Sequence, residues 1–398
     1  MRDLLFLCHR IPYPPDKGDK IRAFHILQHL SASFRIHLGC FIDNPADEVH
    51  IEPLSKMVQS LCCVKLQPGL AKYRALTKLR PGMPLSVAFY TQHDLASWVL
   101  RTSQTQRIDQ IFAFSAVMAP YADLVPSVPR LLDMVDIDSQ KFAAYAAQSS
   151  WPARAFWARE ARTLLAFERA AASRFDHVLF VSQAERYQFV DLAPEAAGHV
   201  SAVGNGVDLQ YFTPAFQAPS PFGERPAIVF TGAMDYRPNI DAVRWFATMV
   251  MPALSRRAVP PIFYIVGANP APSVSQLAAE ADIIVTGRVP DTRPYLAYAA
   301  LVVAPLQIAR GIQNKVLEAM AMAKPVIASP AAFAGIEAIA PRDILVADGD
   351  DAFTHAAHNV LDGQYPDLGT HARAAMEQRY NWRQALAPLD DMLGGLSR

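Results

Sequence analysis

A lysine and a glutamate stand three residues apart in "RGIQNKVLEAMAMAKPVIAS" (310–329), at Lys315 and Glu318. The apolar positions Val316, Leu317, Met320 and Ala321 predict a short helix after Asn314 with its stripe on a core. On that helix Lys315 and Glu318 project from another side, roughly 60° apart. Arg310, Gly311, Ile312, Gln313 and Asn314 form the loop before it, which presents backbone N–H groups at a helix N-terminus. That end carries partial positive charge and can hold a diphosphate. Gly311 permits close backbone approach. A carboxylate one turn into the helix can accept two hydrogen bonds from a ribose cis-diol. The segment therefore suits a nucleoside diphosphate. An ordinary helix would carry the same residues, with the glutamate complementing the dipole and the lysine facing solvent, so the motif alone does not decide.

Short apolar runs alternate with helical patterns along the whole chain, the mark of parallel α/β layers. Strands are predicted at 3–9, 34–42, 61–66, 110–115, 130–136 and 177–182, with "GHVSAVGNGVD" (198–208) closing the first half. Ala23, Ile26, Leu27 and Leu30 predict a helix after the loop "RIPYPPDKGDK", and a long helix is expected over 156–174. Residues 208–226 lack periodicity and read as a connection. The alternation then restarts, with strands at 227–232, 261–267, 282–287, 300–306, 324–329 and 343–348. This predicts two Rossmann-like domains, 1–207 and 227–378, and a helix over 379–398 that packs back toward the first. Such sheets bind ligands outside the carboxyl ends of their strands, and two such edges are expected to face one central cleft.

With 398 residues, two domains are the default. Lys+Arg and Asp+Glu each total 37, which argues against a nucleic-acid partner held by bulk charge. The four cysteines have no metal-ligand spacing, so the chain reads as a reduced, cytoplasmic protein without a zinc site. The N-terminal apolar run is too short for a signal peptide, and none approaches a membrane span. One local bias stands out. No acid occurs between Glu52 and Asp94, and Lys72, Arg74, Lys78 and Arg80 are interleaved there with Tyr73, Leu76 and Leu79. Such a surface suits an anionic membrane, or is a solvated basic face.

The series "GNGVD" (204–208), "VFTGAMDYRPN" (229–239), "IVGANP" (265–270), "VTGRVPD" (285–291) and "GIQNKVLEAMAMAKPVIAS" (311–329) resembles the retaining glycosyltransferases of family 4, with the GT-B fold. The motifs "PYPPDKGDKIRAF", "DMVDIDSQK" and "GIQNKVLEAMAM" resemble the sugar transferase subgroup associated with the PEP-CTERM/EpsH exopolysaccharide system. The resemblance implies a nucleoside-diphosphate sugar as donor, a glycan or lipid-linked acceptor, no cofactor and no metal. The nearest thing to a metal motif is "DID" at 136–138.

It also implies residue roles. Glu318 is expected on the donor ribose. Eight residues earlier the family carries a second glutamate that contacts the transferred sugar, and here Arg310 replaces it. The family's basic pair after "FxG" is missing. Gly232 is followed by Ala233, which leaves Arg237 and Lys315 for the diphosphate. Main-chain groups of Arg288 and Val289 are expected near the nucleobase. Asn239 reads as a helix cap. The family's paired glycines are replaced by Lys17, Gly18, Asp19 and Lys20, whose N–H groups would approach the reacting bond. Where a histidine is common, Asp133, Asp136 and Asp138 stand instead. Asp136 and Asp138 are the candidates to orient a hydroxyl or assist its proton, with His9 and His25 as others. A sugar-nucleotide epimerase of the same fold and an inactive donor-binding partner are the alternative functions.

Overall fold

The computed structural model describes residues 1–15, 18–66, 82–309 and 311–396. They divide into two compact units, Met1–Gly204 with Leu386–Arg398, and Asn205–Ala385.

Unit 1 is built on seven strands, β1 (Arg2–Cys8), β2 (Phe34–Ile42), β3 (Ser60–Lys65), β4 (Ile108–Phe114), β5 (Arg130–Val135), β6 (His177–Phe180) and β7 (Val200–Ala202). They form one parallel sheet in the order β3-β2-β1-β4-β5-β6-β7. Leu4, Leu5, Phe6 and Leu7 are all buried, as a parallel strand covered on both faces requires. The helices that matter below are α1 (Gly18–Ser31), α2 (His93–Thr105), α3 (Asp138–Gln148), α4 (Ala153–Ala172) and α5 (Gln183–Leu192). The C-terminal segment of unit 1 is tied by Gln110, whose Nε2 donates to the Leu393 carbonyl at 2.5 Å.

Unit 2 repeats the plan with β8 (Ala227–Thr231), β9 (Ile262–Val266), β10 (Ile283–Gly287), β11 (Leu301–Ala304), β12 (Val326–Ala328) and β13 (Leu345–Val346). The parallel order is β10-β9-β8-β11-β12-β13. Its helices include α6 (Arg237–Trp245), α7 (Asn314–Ala321) and α8 (Leu368–Arg379). Residues 208–226, expected as the interdomain connection, belong to this unit. Phe212, Phe216 and Phe222 pack against its core, and Arg373 Nη1 donates to the Phe212 carbonyl at 2.8 Å.

Each predicted strand is present, with bounds shifted by a residue or two. In both sheets the order reverses beside the first strand, between β1 and β4 and between β8 and β11. Connections leave these neighbours toward opposite sides of a sheet, so a crevice opens at their carboxyl ends. His9, Arg10 and Ser115 follow the reversal in unit 1; Gly232 and the loop to α7 follow it in unit 2.

Candidate functional site

In unit 2, β8 ends at Gly232 and β11 leads through Gly311, at φ +61°, into α7. Lys315 reaches from α7 back to β8. Its Nζ donates to Asn239 Oδ1 at 2.5 Å and sits 4.4 Å from the centroid of the Phe230 ring. Asn239 Nδ2 donates to the Ala233 carbonyl at 2.9 Å, which fixes the amide. A Cβ on Gly232 would lie 2.7 Å from Asn239 Nδ2 and 3.0 Å from Lys315 Nζ, so glycine is required by close approach. Asn239 is thus a support for Lys315 and not a helix cap. α6 starts at Arg237, a turn earlier than expected, with Pro238 in its first turn and Tyr236 at the cap position.

Glu318 and Lys315 are both half-buried. Loss of water pushes the Glu318 carboxyl up to about 7, and the nearby ammonium only partly offsets this. The same loss pulls Lys315 down to about 7. The site thus holds a cation and an anion poorly compensated by solvent, an arrangement that gains from a ligand offering both phosphate and hydroxyl groups.

Gln313 and Asn314 open α7. Asn205, in the "GNGVD" motif, donates from Nδ2 to Asn314 Oδ1 at 3.3 Å. Ile312 packs against the core of the unit. Arg288 is exposed after β10, and Val289 packs inward behind Gly287, whose φ of +67° requires glycine. Arg237 is turned to solvent and its Nε donates to Asp241 at 2.7 Å, so its guanidinium is engaged away from the Lys315–Asn239 pair. Arg310 lies outside the described residues.

In unit 1, Arg10 holds two carboxylates, Asp43 through Nε at 2.8 Å and Asp19 through Nη1 at 2.5 Å. Asp19 also faces His9 Nε2 at 3.4 Å. Burial opposes the Asp19 charge, yet His9 and Arg10 hold its carboxyl well below the usual range. The His9 ring stacks on Phe114 at 5.9 Å and meets the edge of Tyr90, and its Nδ1 has no hydrogen-bond partner among the described residues. Gly18 is the exposed first residue of α1, and Asp19 sits in its first turn as an ion-pair partner. Asp16 and Lys17 lie outside the described residues.

The end of β5 is distorted. Val135 has φ +67°, Asp133 Oδ1 accepts from its N–H at 3.0 Å, and the pairing to β6 slips there. Ser115, at the end of β4, has φ +79°. A β-branched residue such as Val135 rarely adopts a backbone of positive φ, and such strain concentrates at functional edges. Asp136 Oδ1 is buried without a hydrogen-bond partner among the described residues. Burial, with the charges of Glu185 and Asp138, pushes its carboxyl up to about 7. The following backbone is clamped. Glu185 accepts from the Ile137 N–H at 2.9 Å, and Glu168 accepts from Ser139 N at 3.0 Å and Ser139 Oγ at 2.5 Å. Asp138 opens α3, 3.9 Å from Lys141. Asp133 is wholly buried and accepts from Arg22 Nε at 2.8 Å, which leaves it a structural partner.

Sequence reasoning missed Arg22, Glu168, Glu185 and the Asn239–Lys315 bond. Arg22 had a signal, since it falls in line with Ile26 and Leu30 on the apolar stripe of α1. Tyr211 was missed as well. It feels burial and the charges of Asp291 and Glu318, and it stacks under Arg293 at 3.8 Å.

Residues 225–363 match the family model described as "Glycosyl transferases group 1". They form a group 1 glycosyltransferase domain. The chain is accordingly a glycosyltransferase, as its motifs led us to expect. Three solved structures align over nearly all of it. Sucrose-phosphate synthase (tll1590) from Thermosynechococcus elongatus gives a TM-score of 0.70 at 17% identity, over 99% of each chain. Anabaena Alr3699/HepE in complex with UDP-glucose gives 0.69 at 16%, over 98% of this chain and 99% of that one. WaaG, a glycosyltransferase involved in lipopolysaccharide biosynthesis, gives 0.67 at 13%, over 98% and 100%. At such identities the likeness establishes the fold, the expected pair of parallel-sheet Rossmann-like domains with GT-B neighbours. No curated protein matches the sequence. Among the described residues, no helix is long and apolar enough to cross a membrane.

Proposed function

We propose that the chain transfers a sugar from a nucleoside-diphosphate sugar to a glycan or lipid-linked hydroxyl, with retention of anomeric configuration. The observation that carries the donor half is the Lys315–Glu318 pair beside Gly232 at the strand-order reversal of unit 2. Lys315, held by Asn239 and Phe230, meets the diphosphate. The N–H groups of residues 311–314 add their partial charge to it. Glu318 accepts two hydrogen bonds from the ribose diol. Gly232 keeps the strand end open, and the backbone of Arg288 and Val289 reads the base. Arg237 can join the diphosphate only by giving up Asp241. Arg310, which stands in the sequence where the family carries the glutamate that contacts the transferred sugar, lies outside the described residues. With the leaving charge met this way, the reading requires no metal.

Unit 1 supplies the acceptor side. Asp136, with its raised pKa and unpaired Oδ1, orients the acceptor hydroxyl and shares its proton as the new bond forms. Asp138 and the Gly18–Asp19 turn are the other candidates on the acceptor side. HepE, in complex with UDP-glucose, supports UDP-sugars as the first donors to test. WaaG's role in lipopolysaccharide biosynthesis, with the "PYPPDKGDKIRAF" likeness to exopolysaccharide transferases, supports a saccharide acceptor in bacterial exopolysaccharide assembly. A lipid-linked acceptor would place the enzyme on the inner face of the cell membrane. The basic run once expected to hold it there, Lys72, Arg74, Lys78 and Arg80, lies outside the described residues.

Release of nucleoside diphosphate with and without acceptor tests this reading. Wild type should release it with acceptor, and Glu318→Ala should lose about 2–4 kcal/mol of donor binding or transition-state energy while remaining folded. Interconversion of sugars would indicate an epimerase instead. Donor binding without turnover would indicate an inactive module.

A further inference from the structure

The helical hairpin of α3 and α4 in unit 1 carries an aromatic tip that the fold does not use. Trp151, in its turn, is 82% exposed, Phe156 44% and Tyr145 39%. Phe156 and Tyr145 belong to a ring cluster in which Phe142 stacks on Trp157 at 5.5 Å, Phe156 meets Trp157 edge-on at 4.8 Å and Tyr145 meets it at 5.6 Å, and Trp151 stands in the turn that joins the two helices. Scattered apolar residues on a surface are ordinary, but a contiguous aromatic patch marks an interaction site.

The charge around the tip is mainly of one sign, with Asp138 beside Lys141 at 3.9 Å as the exception. From Ser139 to Arg159 the sequence contains no acid, and Lys141 and Arg154 are exposed there, with Arg162 one turn further on. Glu160 does not offset them. It is turned inward, accepting from Leu85 N and Ser86 N at 2.9 Å and from Ser86 Oγ at 2.7 Å. Below the tip, Ala143, Ala147, Ala158 and Ala161 leave a groove between the helices of about 490 Å³, with Arg154 and Arg162 on its lining. Amphipathic rings beside arginines match a lipid–water interface, where rings enter the headgroup layer and guanidinium groups meet phosphates.

We propose that the α3–α4 turn is the surface by which this protein sits on an anionic lipid bilayer, with Trp151 and Phe156 entering the headgroup region and Lys141, Arg154 and Arg162 meeting lipid phosphates. The inference rests on the reading that the acceptor is carried in a membrane. Donor binding is independent of it.

The test is flotation of the full chain with phosphatidylcholine vesicles, with and without phosphatidylglycerol, at low and high salt. Wild type should float with the anionic vesicles, and salt should weaken this. Trp151→Ala with Phe156→Ala, and separately Arg154→Glu with Arg162→Glu, should each weaken binding by about tenfold or more. Circular dichroism and UDP calorimetry should match wild type in both. Brominated lipids should quench wild-type tryptophan emission and largely fail to do so in Trp151→Phe. Wild type that does not float, or hairpin variants that float like wild type, overturns the proposal. So does lipid-free self-association, or capture of nucleic acid, that is lost in the Trp151 variant, since that assigns the surface to another occupant. If vesicles bind but UDP does not, the donor reading fails and the membrane surface stands. If UDP binds but vesicles do not, the reverse holds.

Discussion

Lys315 and Glu318 titrate within reach of neutral pH because their surroundings withhold water and neither fully compensates the other. A nucleotide sugar needs the protonated lysine for its diphosphate and the ionised glutamate for its ribose. Its own diphosphate does not titrate in this range. Raising the pH through about 7 removes the proton from Lys315, and lowering it through about 7 adds one to Glu318. Affinity for the donor should therefore peak near neutrality and fall on both sides. Calorimetry across pH checks this. Lys315→Arg should lose the alkaline fall, since arginine stays charged. Equal alkaline limbs in the two proteins would refute the assignment.

Strand ends decide whether those side chains can be used. Gly267 N donates to the Gly287 carbonyl at 3.2 Å, and a Cβ on Gly267 would lie 1.6 Å from the Gly232 carbonyl oxygen. The ends of β8, β9 and β10 are thus packed backbone against backbone. Gly232→Ala should displace Asn239 and Lys315, lowering stability by about 1–3 kcal/mol and weakening donor binding beyond that. Urea denaturation and calorimetry on one preparation separate the two effects. In unit 1 the kink at Val135 makes a prediction of opposite sense to the usual rule. In a regular strand, alanine is more stable than glycine. At φ +67° Val135→Gly should exceed Val135→Ala in stability by about 1 kcal/mol. The usual order in urea melts would mean that the kink relaxes without cost.

Across the whole molecule, buried carboxylates make stability pH-dependent. Burial pushes Glu168 from near 4.5 up to about 8. Between those values the folded chain keeps a proton that the unfolded chain has released, so stability falls as pH rises. Asp136 acts in the same direction between 3.8 and about 7. Lys315 acts oppositely, from about 7 to 10.5, where the unfolded chain holds the extra proton and stability rises with pH. The thermal midpoint should therefore drop from about pH 5 to about pH 8. Glu168→Gln keeps the shape that meets Ser139 and should flatten the drop. An unchanged slope in that variant would show that Glu168 does not carry it.

At this scale too, what the amino-acid order determined is separable from what the tertiary structure decided. The parallel strands were legible because each is a short, continuous apolar run, a signal that needs no partner to be read. Lys315 and Glu318 were legible because helical geometry assigns them a side away from the stripe. The class of enzyme was legible in the order of the glycine motifs. Pairing across long sequence separations was not. Asn239 meets Lys315 across 76 residues, and Arg22 meets Asp133 across 111, and no local pattern encodes either contact. Only the folded chain turned Asn239 from an expected cap into the support of a lysine. Only it left Asp136 Oδ1 unpaired beside a strained strand end, whereas the Arg237–Asp241 pair, four residues apart on α6, is a local contact. Burial and hydrogen-bond partners set a side chain's charge and reach, and they exist only once distant segments are packed together.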